Sequence, residues 1–174
     1  MDPELHENVC EESIFARLYE RYAQDLHNFL YYKYGEAGAP GDKAQEAFVK
    51  LWENCARVSL SKAKSYLFTV ANNLVLNELK HRKVVLKYQQ ESPKAHTRED
   101  PEFLMRQQEY YERYQEVLAK MSEEQRTAFL LNKVEGKKHQ EIAEMLGVTR
   151  KVVEYRIYSA FNLLKEELSG FSIK

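Results

Sequence analysis

A glycine corner near the C-terminal end constrains this chain most. Residues 137–168, KKHQEIAEMLGVTRKVVEYRIYSAFNLLKEEL, set Ile142, Ala143 and Leu146 three and four positions apart, which puts them on one helix face. Gly147 follows, and glycine accepts the left-handed conformation that a sharp turn after a helix requires. Thr149 offers a hydroxyl to cap a second helix, in which Val153, Ile157, Ala160 and Phe161 recur at helical spacing as an inward face. Arg150, Lys151, Glu154, Tyr155 and Tyr158 are left mostly outward. Two helices joined by a short corner make a helix-turn-helix, and the start of its second helix is where such motifs touch DNA bases. Arginine and lysine bond phosphates or guanine edges, so the outward residues suit a groove. An ordinary helical hairpin has the same spacing, and the rest of the chain has to decide between the two.

Helical periodicity fills most of what precedes. Residues 12–34 carry Phe15, Leu18, Tyr19, Tyr22, Leu26, Phe29 and Leu30 at three- and four-residue steps. Gly35, Gly38, Pro40 and Gly41 break that helix, and Asp42 is positioned to cap a second, with Ala44, Ala47, Phe48, Leu51 and Trp52 as its apolar stripe. Trp52 reads as core, given the area an indole buries. After a polar break, a long third helix is expected over residues 63–89, with Tyr66, Leu67, Val70, Ala71 and Leu74 inward. The stretch ESPKAHTREDPEF, residues 91–103, has two prolines, many charges and few apolar residues, as a solvated linker does. Periodicity returns through Tyr110, Tyr111, Tyr114, Val117, Leu118 and Met121. Ser122 followed by Gln125 fits a capping box, and the helix it opens, with Phe129, Leu130 and Val134, ends at Gly136. With no strand signal, the expected fold is all-α. It comprises two small helical domains, 1–90 and 107–174, joined by a polar linker over 91–106, the second domain ending in the helix-turn-helix.

Composition narrows the function classes. The 30% charged fraction is that of a soluble protein, and no apolar run approaches the roughly 20 residues that span a bilayer. The start, MDPELHENVC, is acidic where a secretory signal is basic and then apolar, so a cytoplasmic location is expected. Cys10 and Cys55 form no CxxC pair and read as reduced thiols. The five histidines are scattered without ligand spacing, and no phosphate-binding loop is present. No catalytic residue, metal, cofactor or small-molecule substrate is therefore expected, and the chain does not read as an enzyme. The 26 basic and 27 acidic residues give a formal charge of −1, whereas a free-standing DNA binder usually carries a basic excess to displace counterions. Lys80, Arg82, Lys83 and Lys87 do cluster without an intervening acid. Local DNA contacts, with affinity supplied by a partner protein, fit that balance.

The order of parts resembles the extracytoplasmic-function group of bacterial RNA polymerase sigma factors, over residues 13–168. Three blocks carry the likeness: DKAQEAFVKLWEN, KSYLFTVANNLVLNELKHRK and MSEEQRTAFLLNKVEGKKHQEIAEMLGVTRKVVEYRI. The resemblance implies that the first domain is region 2, which melts and reads the minus-ten promoter element. It implies that the second is region 4, which reads the minus-thirty-five element. The implied partners are core RNA polymerase, promoter DNA and an anti-sigma factor, often membrane-anchored.

The same likeness suggests roles for particular residues. Asp42, Gln45, Glu46 and Phe48 fall where such factors meet the polymerase. Asn72 and Asn73 stand where the family often has Arg-Asn, and Asn73 is the candidate to contact the non-template strand, an amide being able both to donate to and accept from a base edge. Asn77 stands where aspartate is common. Tyr66 and Phe68 are placed either to stack on exposed bases or to pack in the core. Lys80, Arg82 and Lys83 suit promoter phosphates. In the recognition helix Thr149, Arg150, Lys151, Val152, Tyr155 and Arg156 are the candidate readers or phosphate clamps, and Glu154 either accepts from a cytosine or pairs with a neighbour. The rival reading is an autonomous dimeric helix-turn-helix regulator that binds duplex DNA without polymerase.

Overall fold

The computed structural model describes residues 8–79 and 101–169, and the elements within them are helical throughout. Helix α1 spans Glu12–Tyr34, α2 Pro40–Glu53 and α3 Leu60–Leu79; α4 spans Pro101–Lys120, α5 Glu123–Lys133, α6 His139–Leu146 and α7 Arg150–Leu168. The expected continuation of the third helix to residue 89 lies outside the described residues. Helix α4 begins at Pro101, so residues 101–106 of the expected linker are helical.

The first three helices pack as a bundle. Leu26, Phe29 and Leu30 of α1, Ala47, Phe48 and Leu51 of α2, and Leu67, Phe68, Ala71 and Val75 of α3 are all buried. The turn between α1 and α2 differs from the expected one. Asp42 does not cap: the cap position is Ala39, in a left-handed conformation at φ 45°, and Pro40 takes the first helical place, where its missing N–H costs nothing. Asp42 sits in the first turn, where its charge faces the positive end of the helix. Gly38 is required by space, because a Cβ there would lie 2.7 Å from Cβ of Tyr34. Trp52 is not core. It is 46% exposed and meets the edge of the Phe15 ring at 5.0 Å between centroids.

Cys10 and Cys55 are not separate thiols but a disulfide, with Cα atoms 5.0 Å apart. Their separation of 45 residues hides what the fold does. The segment before α1 returns beside the short turn after α2, and Val9 is buried there at 1% exposure.

In the second unit Val117, Leu118, Met121, Phe129, Leu130 and Leu131 join Ile142, Ala143, Met145, Val153, Ile157, Ala160 and Leu164 in one core. The capping box forms as the spacing predicts. Ser122 Oγ accepts from Gln125 N at 3.2 Å, and Gln125 Oε1 accepts from Ser122 N at 3.1 Å. Helix α5 stops at Lys133, so Val134 is an exposed cap residue rather than core. Tyr111 is likewise exposed, and Phe161 is 52% exposed, its expected inward place being taken by Leu164. The inward set 153, 157, 160 and 164 follows a four-three-four step, and Phe161 lies one residue, about 100° of turn, beyond it.

Two outcomes follow for stability. A loop of this length closed by a disulfide stabilises by about 4 kcal/mol in the chain-entropy model. Reduction is therefore expected to lower the denaturation midpoint of the chain, and the doubly substituted Cys10→Ser/Cys55→Ser protein to be unmoved by reductant. Equal midpoints for the oxidised and reduced chain would show that the bridge contributes nothing. Ser122→Ala removes one half of the capping box and should cost about 1 kcal/mol in urea unfolding.

Candidate nucleic-acid interface

The helix-turn-helix is built from the corner outward. Gly147 adopts φ 64° and ψ 34°, and Thr149 Oγ1 accepts from Val152 N at 3.3 Å, so α7 starts with a satisfied N–H. At the other end of α6, Lys138 N donates to Glu141 Oε2 at 2.8 Å. That bond, helped by Lys137, Lys138 and Lys64 nearby, holds the Glu141 carboxyl below its ordinary pKa. Helix α7 is tied to the rest of its unit by Gln125 Nε2 donating to Ser159 Oγ at 2.8 Å and by Lys120 Nζ to Glu167 Oε2 at 2.9 Å. The recognition helix therefore stands on a fixed support, and its first turns face outward.

Thr149, Arg150, Lys151, Val152 and Tyr155 are exposed, with Tyr155 at 70%, while Arg156 is half-buried. Tyr158, at 66% exposure, continues the same face and joins the candidate readers. Its outward position at helical spacing from Tyr155 was the signal for it in the sequence. Glu154 pairs with a neighbour. Its Oε1 accepts from Arg150 Nε at 2.8 Å and lies 3.6 Å from His139 Nδ1. One carboxylate thus links the start of α6 to the start of α7 and orients the Arg150 guanidinium.

In the first unit the candidates separate by burial. Phe68 is core, edge-on to Phe29 at 5.2 Å, and is not available to stack on a base. Tyr66 is half-buried with its hydroxyl directed to Lys50 O at 3.4 Å. Asn73 and Asn77 are exposed. Asn72 is engaged: its Oδ1 accepts from Lys33 Nζ at 2.9 Å and from Tyr34 OH at 2.5 Å. Burial lowers the Lys33 pKa and raises that of Tyr34. Lys33 brings to this place the positive charge that residue 72 itself lacks. Lys80, Arg82, Lys83 and Lys87 lie outside the described residues.

On α2, Asp42 and Gln45 are exposed, and Glu46 is half-buried and pairs with Lys43 Nζ at 3.2 Å. Phe48 is buried at 3% between Phe15 and Tyr19, so it supports this face rather than presenting itself. What the surface presents instead is Val49 at 55% and Trp52 at 46%, beside Tyr19 at 42%. Gln45, Val49 and Trp52 stand at i, i+4 and i+7, a spacing visible in the sequence once Trp52 is taken as outward.

The two units also touch. Arg126 of α5, only 5% exposed, donates from Nε to Tyr32 O and from Nη2 to Lys33 O, both at 3.0 Å. Lys137 Nζ meets Asp25 Oδ2 at 2.7 Å, Tyr32 OH donates to Glu135, and Lys64 Nζ lies 3.7 Å from Glu144 Oε2.

Among the described residues no three His, Cys, Asp or Glu side chains are grouped to hold a metal, and no helix is long and apolar enough to cross a membrane. Residues 18–84 match the family described as Sigma-70 region 2, and residues 111–164 match Sigma-70, region 4. The chain is 24% identical over 159 residues to the RNA polymerase sigma factor YlaC of Bacillus subtilis strain 168, covering 87% of this chain and 90% of that protein. The two regions in this order favour a sigma factor over a stand-alone dimeric regulator. With region 2 on the three-helix bundle and region 4 on the unit that ends in the helix-turn-helix, the chain belongs to the sigma-70 family, in its extracytoplasmic-function group.

Proposed function

We propose that this sigma factor divides promoter reading between two exposed helix surfaces and leaves the rest of the affinity to the polymerase. The observation that carries the reading is the exposed start of α7, with Arg150 and Lys151 outward on a capped, braced helix. Arg150, Lys151 and Tyr155 contact the minus-thirty-five element in the major groove, Val152 takes a thymine methyl and Thr149 a phosphate. Arg156, half-buried, clamps the backbone at the edge of that footprint.

On region 2, Asn73 is the exposed reader of an unpaired minus-ten base, and Lys33 replaces the basic side chain that residue 72 does not supply. Asn72 acts by holding Lys33 and Tyr34 rather than by touching DNA. Lys80, Arg82 and Lys83 follow α3 in the chain and take the neighbouring phosphates. Opening the duplex costs about 1.4 kcal/mol per base-pair step, so captured bases offset only part of it and polymerase contacts supply the remainder. That division fits a formal charge of −1.

The polymerase-binding face is the exposed side of α2: Asp42, Gln45 and Glu46, with Val49 and Trp52 as its apolar centre. Aromatic anchors in a desolvated pocket dominate such interfaces. The factor works in the cytoplasm without cofactor, metal or chemistry of its own, and an anti-sigma factor, membrane-anchored in many systems of this kind, would hold it by covering these same faces.

Reconstitution with sigma-free core polymerase, and transcription from a library of upstream regions of the source organism, tests the reading. Starts that depend on this chain are expected. Arg150→Ala/Lys151→Ala should lower them at least about tenfold, since a good pairing of a side chain with a base edge is worth about 1–3 kcal/mol; unchanged starts would remove the first turn of α7 from promoter reading. Trp52→Ala should weaken assembly with core polymerase about tenfold or more and leave the fold intact, the indole being half-exposed. A chain that ignores core polymerase yet shifts duplex DNA as a dimer would return the stand-alone regulator.

A further inference from the structure

One covalent bond ties the start of the chain to the turn between α2 and α3. Cys10 and Cys55 are the only cysteines of the sequence, so each has the other and no third thiol to exchange with. Cys10 stands in a local turn, where Asn8 Oδ1 accepts from Cys10 N at 3.0 Å and Asn8 O from Glu11 N at 2.9 Å. Cys55 opens the short 3-10 turn Cys55–Arg57, in which no residue is buried. The backbone bonds there are local: Asn54 N to Lys50 O, Arg57 N to Asn54 O and Val58 N to Cys55 O. A segment with little burial and short-range bonds opens at low cost. The bridge fastens it to the segment that buries Val9.

The turn forms one wall of a cleft. Asn54 and Arg57 line it together with Lys62, Ser65, Tyr66 and Thr69 of α3. Tyr66 OH and Asn54 Nδ2 both donate to Lys50 O, at 3.4 and 2.8 Å, so the two walls meet at the end of α2. Residues 62, 65, 69 and 73 share one face of α3, at steps of three and four, and all four are exposed. The cleft therefore opens on the side of α3 that carries Asn73, and a shift of the turn alters the surface beside that amide.

We propose that Cys10 and Cys55 form a thiol–disulfide switch: oxidised, the bridge holds the α2–α3 turn in the form that lines the cleft; reduced by a low-molecular-weight thiol, it releases the turn and promoter opening falls. The consequence rests on the sigma-factor reading, whereas the exchange is a property of the free chain. A factor that works beside RNA polymerase meets the reducing cytoplasm, where a disulfide is characteristically transient and redox-sensing. Both cysteines are partly exposed, so an external thiolate can reach them. The first thiolate attacks one sulfur, the bond between the two cysteines breaks, and a mixed disulfide forms as one protein thiolate leaves. A second thiolate attacks the mixed disulfide and releases the other protein thiolate. Cys10 and Cys55 take the two protons and two electrons that the thiols give up, and the thiols leave as one disulfide. Oxidation is the same sequence reversed, with a low-molecular-weight disulfide as the oxidant.

Thiol trapping on the full chain in glutathione buffers tests the exchange. Excess reduced glutathione is expected to open the bridge with helix content unchanged, and glutathione disulfide to restore it. Structural disulfides resist the glutathione pool, so a bridge that stays closed in the folded chain overturns the switch. A reduced chain that loses its helix content overturns it too, by making the bridge a staple of the fold. With core polymerase, the oxidised chain should give about tenfold more specific starts than the reduced one, the change when a competent turn falls from dominant to about a tenth of molecules. Cys10→Ser/Cys55→Ser should stay at the reduced level in either buffer, which separates the bridge from any effect of glutathione on polymerase. Equal starts from the oxidised and reduced chain overturn the regulatory role. A difference that lies wholly in binding to core polymerase overturns its assignment to the cleft. If no form directs specific starts although the bridge opens and closes, the sigma reading fails and takes the switch's consequence with it.

Discussion

A guanidinium taken out of water must find acceptors, and Arg126 finds them on a helix end that belongs to a different unit. That requirement couples the two halves of the molecule. Desolvation lowers the pKa of this arginine, while Glu123 and Glu124 beside it work in the opposite direction. The acids are on the first turn of α5, where the helix dipole favours them, and Ser122 caps the same turn. Cap, acids and arginine are thus one unit of structure, and it aims α5 at the end of α1.

The helices themselves are legible in the sequence because each is bounded by chemistry that acts locally. The bounds of α1, the Ser122 capping box, the left-handed Gly147 and the Thr149 cap need only a few neighbouring residues to specify them. Sequence and structure part where a residue's setting is decided by distant chain. Phe161 and Leu164 are both apolar and both near the periodic inward face, and only the packing of α7 against α4, α5 and α6 selects Leu164. Trp52 looks like core from its area, yet α2 turns it outward against Phe15. Cys10 and Cys55 show no motif, since their pairing depends on the N-terminal segment folding back beside the end of α2. Arg126 carries no sequence signal at all: an arginine in a polar helical turn is expected in solvent.

Candidate site residues divide in the same way. Those at the start of α7 are exposed because the glycine corner and the cap dictate which way the helix leaves the turn. Those on α3 depend on the packing of three helices, which decides the open choice for Phe68 and engages Asn72. Phe68 belongs to the core and Asn72 to a hydrogen-bonded cluster, which leaves Asn73 as the exposed amide of the pair. Asn72, where the family often has a basic residue, accepts instead from Lys33, 39 residues earlier on α1. A partner that comes from another helix is invisible to any reading of a single segment.

The seam between the two units pairs opposite charges. Of the contacts across the seam, Lys137 with Asp25 and Lys64 with Glu144 pair a cation with an anion, each partly exposed and so worth little alone. Such pairs set register more than they stabilise. Buried apolar residues lie beside these polar contacts, among them Tyr32 and Tyr34 at the end of α1. Of the exposed apolar residues of region 2, Tyr19 lies on α1 and Leu76 on α3, whereas Val49 and Trp52 lie on α2, a helix that takes no part in these ion pairs and hydrogen bonds of the seam. Val49 and Trp52 are therefore open to solvent while the two units touch, and a protein surface can cover them without displacing any of the seam's hydrogen bonds or ion pairs.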